Sequence, residues 1–83
     1  MICTIVGFEN IQYTNKDGRE VKGLRLYYTY DDPSCNGKCA DTVYINGNSS
    51  AYIDKVEINR KYEFNFQVSS FTGKSRLISV KPV

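Results

Sequence analysis

The residues best suited to chemistry lie within one stretch of the chain, residues 11–30. Basic and aromatic side chains are interleaved there, namely Lys16, Arg19, Lys22, Arg25, Tyr27, Tyr28 and Tyr30. Cations neutralise the phosphates of a nucleic-acid backbone, and aromatic rings stack on unpaired bases. The stretch therefore supplies both interactions by which proteins grip a single strand. A solvated hairpin of mixed charge would have the same composition. The alternative that this stretch has only a structural role therefore stays open.

The spacing within residues 11–30 predicts a β-hairpin. Its turn signal is Asp17-Gly18, because this pair tolerates the positive φ angles of tight hairpin turns. On the returning arm, strict alternation gives an inward leucine face and an outward face that carries Arg25 and Tyr27. We therefore expect Arg25 and Tyr27 to reach solvent together.

Three residues of the returning arm are harder to place. Tyr28 and Tyr30 share the parity of the leucines, so they are either core residues or, if the arm twists out of the core, stacking residues. Gly23 interrupts the arm and predicts a bulge or kink where the hairpin leaves the domain.

The rest of the chain predicts a small all-β domain. Strand patterns besides the hairpin occupy residues 1–8, 42–45, 62–68 and 76–83. Residues 51–58 have the only helical option, at most one short helical turn. These four strand patterns and the returning arm of the hairpin give five strands. Five strands in a single domain of residues 1–83 favour a five-stranded antiparallel barrel of the oligonucleotide-binding (OB) fold, with the basic hairpin of residues 11–30 protruding as a wing.

Composition and charge restrict the classes of function. The chain has 83 residues, 41% of them apolar, and a net charge of +2, which permits nucleic-acid binding without demanding it. No apolar run approaches the ~20 residues of a membrane span. The first ten residues lack the features of a signal peptide, so we expect a cytoplasmic protein with no membrane partner.

Neither a metal site nor an active site is expected. The chain has three cysteines, Cys3, Cys35 and Cys39, and no histidine. An odd cysteine count argues against a disulfide framework, and three thiolates fall short of the four ligands of a structural zinc site. We expect Cys3 to be buried and the other two to lie in a surface loop. Without histidine or paired acids no general base is available, so we expect no catalysis, no cofactor and no small-molecule substrate.

Three segments, in this order, resemble a known family. They are the start MICTIV, the hairpin QYTNKDGREVKGLRLYYTY, and an end with Tyr62, Ser69-Ser70-Phe71, a glycine turn and RLISVKPV. The layout resembles the filamentous-bacteriophage helix-destabilising proteins, the gene V type of single-stranded DNA-binding protein. The resemblance implies an OB barrel, a two-fold symmetric homodimer, and cooperative single-stranded DNA binding without sequence preference during phage replication in a bacterial host.

The resemblance also suggests roles for individual residues. Lys16, Arg19 and Lys22 stand where the basic residues of the family's wing stand, and Tyr27, Tyr28 or Tyr30 match its aromatic positions. Arg76 fits the basic position of the last strand, and Phe71 resembles the aromatic residue near the symmetry axis. The loop with Phe71 is shorter here, and residues 33–41 have no counterpart in the family.

The prediction is thus a protein that binds single-stranded DNA without sequence preference, with RNA as an alternative ligand. The predicted phosphate contacts are Lys16, Arg19, Lys22, Arg25, Lys74 and Arg76, and the predicted stacking residues are Tyr27, Tyr28, Tyr30 and Phe71. Arginine and tyrosine are also enriched at protein interfaces. A small β-barrel module for protein–protein interaction is therefore the alternative.

Overall fold

A computed structural model describes residues 1–49, 51–68, 70 and 73–83 of the chain as one five-stranded antiparallel sheet. The strands are β1 (Ile2–Thr14), β2 (Glu20–Tyr30), β3 (Cys39–Asn46), β4 (Lys61–Val68) and β5 (Ser75–Pro82). Their order in the sheet is β3-β2-β1-β4-β5. The predicted all-β class with five antiparallel strands is confirmed, and the described residues contain no helix and hence no helix that could span a membrane.

Strand β1 links the two parts of the sheet. Its first residues, Ile2 to Thr4, pair with β4, while residues 4–14 pair with β2. A bulge between Ile5 and Gly7 inserts one extra residue into β1. Because side chains alternate along a strand, the bulge reverses which residues face the core. Cys3 and Ile5 are buried before it, whereas Glu9 lies beyond it on the solvent side.

The wing is closed by a turn that Asn15 organises. The Asn15 Oδ1 accepts hydrogen bonds from the backbone N–H groups of Asp17 (3.0 Å) and Arg19 (2.9 Å), and the Asn15 N–H donates to the Arg19 carbonyl (2.8 Å). Gly18 has a positive φ of 76°, but Asp17 does not. Of the Asp17-Gly18 pair, only the glycine uses the positive φ that the turn signal permits. The Asn15 side chain satisfies the turn's backbone donors, and one left-handed residue suffices to reverse the chain.

Gly23 does not form the predicted bulge or kink. It pairs regularly with Ile11 of β1 and with Asn46 of β3. The glycine is instead explained by a close approach from the neighbouring strand, because the ring of Tyr44 covers it.

The core lies between the inward faces of the two parts of the sheet. Ile5, Leu26 and Phe64 are fully buried at its centre. The predicted inward leucine face of β2 is confirmed, since Leu24 is buried beside Leu26. Residues 51–58 form turns and bends instead of the helical turn that was the alternative, because Ala51 and the side chains after it are used to pack against this core.

Over the described residues, the sheet does not close into a barrel. The edge strands β3 and β5 are not hydrogen-bonded to each other in the described part of the chain, and they face each other across a cleft. Tyr44 and Ile45 line it from β3, and Arg76 and Leu77 line it from β5. We call this space the β3/β5 cleft.

Candidate nucleic-acid interface

The solvent-facing side of the three consecutive strands β1, β2 and β3 carries the candidate site, and we call it the outer face. Arg25 and Tyr27 both lie on it, because they alternate with the buried Leu24 and Leu26. The Arg25 side chain is 44% exposed and Tyr27 is half-buried. The predicted placement of Arg25 and Tyr27 side by side at the surface is confirmed.

The carboxylate of Glu9 contacts the side chains of both Arg25 and Tyr27. Glu9 lies directly opposite Arg25 in the β1–β2 ladder, and its Oε1 is 3.7 Å from the Arg25 guanidinium. The Tyr27 hydroxyl donates a hydrogen bond to the same carboxylate oxygen. Glu9 therefore fixes the orientation of Tyr27 and neutralises Arg25. Glu9 is a functional candidate that the sequence analysis did not identify, because the bulge in β1 determines its position.

Tyr44 is a second residue that the sequence analysis missed. It lies on β3, directly opposite Arg25 in the β2–β3 ladder, and it is 42% exposed. Its ring covers Gly23, where a methyl group would overlap the ring and the hydroxyl. The available signal was its parity within TVYI, which places it on the opposite face from the buried Ile45.

Tyr28 belongs to the core, which corrects its predicted placement among the stacking residues. It is only 5% exposed, and its ring meets Phe64 edge-on at a centroid distance of 4.9 Å. Desolvation, aided by the nearby carboxylate of Asp41, raises the pKa of Tyr28 to about 12. Tyr30 is half-buried, with its ring centre 5.9 Å from that of Tyr28, and it packs against the core. Neither ring lies on the outer face with Tyr27, because both share the parity of the leucines.

The wing places two of its cations at the tip. Lys16 and Arg19 flank the turn and are exposed. Lys22 is also exposed, but it has the parity of Leu24 and so lies on the side of the wing opposite to Arg25. None of these three residues forms an ion pair with the described part of the chain. The structure thus separates Lys22 from the other predicted phosphate contacts.

The remaining predicted contacts lie at the other edge of the sheet. Arg76 is exposed on β5 and lines the β3/β5 cleft opposite Tyr44, without an ion pair to any described residue. Lys74 is exposed in the connection between β4 and β5. The prediction for Phe71 lies outside the described residues.

Two cysteines form a pair that the sequence analysis did not predict. Cys35 and Cys39 are joined by a disulfide in the loop between β2 and β3, with their Cα atoms 6.0 Å apart. Cys3 is free and buried, as predicted, and burial raises its pKa. The described residues contain no cluster of three or more histidine, cysteine or acidic side chains that could hold a metal ion.

No protein-family model, curated protein or solved structure matches the chain.

Proposed function

We propose that the protein binds single-stranded DNA without sequence preference, in phage or mobile-element replication within the cytoplasm of a bacterial host. One observation carries this proposal. Arg25 and Tyr27 stand side by side on an exposed sheet face that leads to a wing tip with two cations, Lys16 and Arg19, which form no ion pair with any described residue. Cations bind phosphates and rings stack on bases of any identity, so this chemistry does not depend on sequence.

The resemblance to the phage helix-destabilising proteins supports the same function. The resemblance implies DNA contacts from basic residues of the wing and of the last strand, and these cations support the proposal. RNA offers the same phosphates and base rings, so competition between oligo-dT and oligo-U decides between the two ligands.

The proposal includes a homodimer. Large apolar side chains are exposed on the first part of β1 and on β4, among them Ile2, Phe66 and Val68. A chain of 83 residues has a thin core, and a second copy of the chain would cover these side chains. Light scattering with and without an oligonucleotide measures the mass, and a monomer under both conditions would contradict this part.

Salt dependence tests the DNA-binding proposal. Each phosphate contact on a single strand contributes a slope of about −0.7 to the plot of log affinity against log salt. Contacts from Lys16, Arg19 and Arg76 would therefore give a slope of about −2, and the affinity would fall about twentyfold between 50 and 200 mM NaCl. The measurement is fluorescence anisotropy of labelled oligo-dT. No binding at 50 mM NaCl and micromolar protein would overturn the proposal.

A pair of double variants locates the site. The change of Lys16 and Arg19 to alanine removes two contacts and should reduce the slope by about 1.4. The matched control changes Lys61 and Lys81 to alanine, two exposed lysines of β4 and β5 that lie outside the wing. The control should keep the slope of the unmodified protein. Equal effects of both variants would mean that net charge, not the wing, determines binding.

The alternative, a protein-interaction module, is favoured by the exposed apolar side chains alone. Such an interface responds weakly to charge removal at the wing. No binding of oligo-dT, together with binding of a protein partner that survives the loss of Lys16 and Arg19, would therefore favour it over the proposed function.

A further inference from the structure

Tyr44 and Tyr27 form a diagonal pair on the outer face. Tyr27 lies opposite Thr42 in the β2–β3 ladder, so Tyr44 is two residues further along β3. Diagonal neighbours in an antiparallel sheet are ~7–8 Å apart at the backbone. The two side chains lie over different neighbours, with Tyr44 over Gly23 and Tyr27 over Gly7 toward Glu9. Arg25 lies directly opposite Tyr44 and two residues before Tyr27, so its guanidinium shares the same part of the surface.

We infer that this group is a subsite for two consecutive nucleotides of an extended strand. One base stacks on Tyr27, the next stacks on Tyr44, and the phosphate between them passes beside Arg25, whose charge Glu9 neutralises in the unmodified protein. This inference rests on the proposed function and adds a ligand position that the sequence analysis does not contain. Successive nucleotides are spaced ~3.4 Å apart along each strand of a duplex. A strand that reaches both rings must therefore unstack and stretch.

The position of Tyr44 also connects two separate groups of cations. Tyr44 lies beside Arg25, and it also lines the β3/β5 cleft, whose far side carries Arg76. A strand that leaves Tyr44 toward the cleft meets Arg76, whereas a strand that continues from Tyr44 past Gly23 runs toward the wing tip. Tyr44 therefore lies between the wing and the β3/β5 cleft.

Gly23 is the positioning residue for Tyr44. Its φ is not in the left-handed region, so its own backbone conformation does not require glycine. A Cβ at Gly23 would overlap the Tyr44 ring, and the mobile group that must give way is the far end of that side chain. Gly7 provides a contrast on the same face, because a Cβ there would stand 3.7 Å from Tyr27, an ordinary contact.

The test is a double-mutant cycle on oligo-dT affinity with the full chain. Tyr44→Ala should weaken binding about 5- to 150-fold, the value of one base stacked on an aromatic ring, with the salt slope unchanged because no phosphate contact is lost. Gly23→Ala should weaken binding in the same way, and the double variant should be no weaker than Tyr44→Ala alone. Gly7→Ala should bind like the unmodified protein.

A second readout reports the stretching of the strand. Oligo-dA stacks strongly on itself, so its absorbance at 260 nm should rise when the protein binds, and Tyr44→Ala should reduce the rise. Thermal unfolding of each variant shows that it is folded. If the unmodified protein binds and Tyr44→Ala binds equally well, or if the Gly23 and Tyr44 effects add, the inference is overturned while the proposed function stands. If the unmodified protein does not bind, the proposed function itself fails.

Discussion

Removing the charge of Glu9 should strengthen DNA binding. The carboxylate lies 3.7 Å from the Arg25 guanidinium and accepts a hydrogen bond from the Tyr27 hydroxyl. Glu9→Gln keeps an oxygen that can accept from Tyr27, but it releases Arg25 from its counter-charge. The two side chains are 52% and 44% exposed, so breaking their ion pair should cost at most ~1 kcal/mol of folding stability.

The size of the gain follows from one added phosphate contact. The salt slope should become steeper by about 0.7. Relative to 1 M salt, one such contact strengthens binding about eightfold at 50 mM NaCl and about threefold at 200 mM. Anisotropy titrations of oligo-dT across this range measure both the affinity and the slope.

Two further variants separate the local effect from a general charge effect. Glu63→Gln makes the same chemical change on β4, outside the outer face, and should leave the affinity and slope unchanged. Combining Glu9→Gln with Arg25→Ala should abolish the gain, because no guanidinium remains to contact the phosphate. If Glu9→Gln instead lowers the affinity or leaves it unchanged, Arg25 does not bind a phosphate when the charge of Glu9 is removed, and our interpretation of Glu9 is wrong.

The remaining predictions concern stability. The pKa of Tyr28 is about 12 when folded and ~10 in an unfolded chain, so between these values only the unfolded chain has lost the proton. The free energy of unfolding should therefore fall by about 1.4 kcal/mol per pH unit from pH 10 to 12, and urea titrations of Tyr28→Phe should lack this contribution. Phe64→Ala empties the centre of the core and should cost about 3–5 kcal/mol, whereas Phe66→Ala at the rim should cost less. Reducing the Cys35–Cys39 disulfide, which closes a five-residue loop, should lower stability by at most ~2 kcal/mol and leave oligo-dT affinity unchanged.

Alternation along single strands explains what the sequence could predict. The alternation of Leu24 and Leu26 with Arg25 and Tyr27 predicts the face of each residue without knowledge of the rest of the fold. The same rule places the side chain of Tyr28 on the core face, with Leu24 and Leu26. The resemblance and the basic neighbourhood suggested a stacking role, but packing of its ring against Phe64 decides the matter.

The missed residues depend on pairing between strands. Glu9 meets Arg25 only because the bulge after Ile5 shifts the register of β1 by one residue. Without that bulge Glu9 would share the parity of the buried Cys3 and Ile5. Tyr44 meets Gly23 only through the register of β2 with β3, which local composition does not determine. The prediction of a bulge or kink at Gly23 was wrong for the same reason, because the sequence does not show that Tyr44 of the neighbouring strand covers this glycine.

The way β1 divides its pairing has a consequence for the order in which the protein folds. Strands β1, β2 and β3 follow one another in the chain, so their contacts close short loops and should form early. The hairpin of β4 and β5 is a second local unit. In the described part of the sheet it is joined to the first by the short ladder from Ile2 to Thr4 and by flanking backbone hydrogen bonds of Met1 and Ile5. We therefore expect two cooperative units, with the wing and both tyrosines of the outer face in the first. The β3/β5 cleft and its Arg76 exist only after the second unit docks, so the DNA path would be completed by the last step of folding.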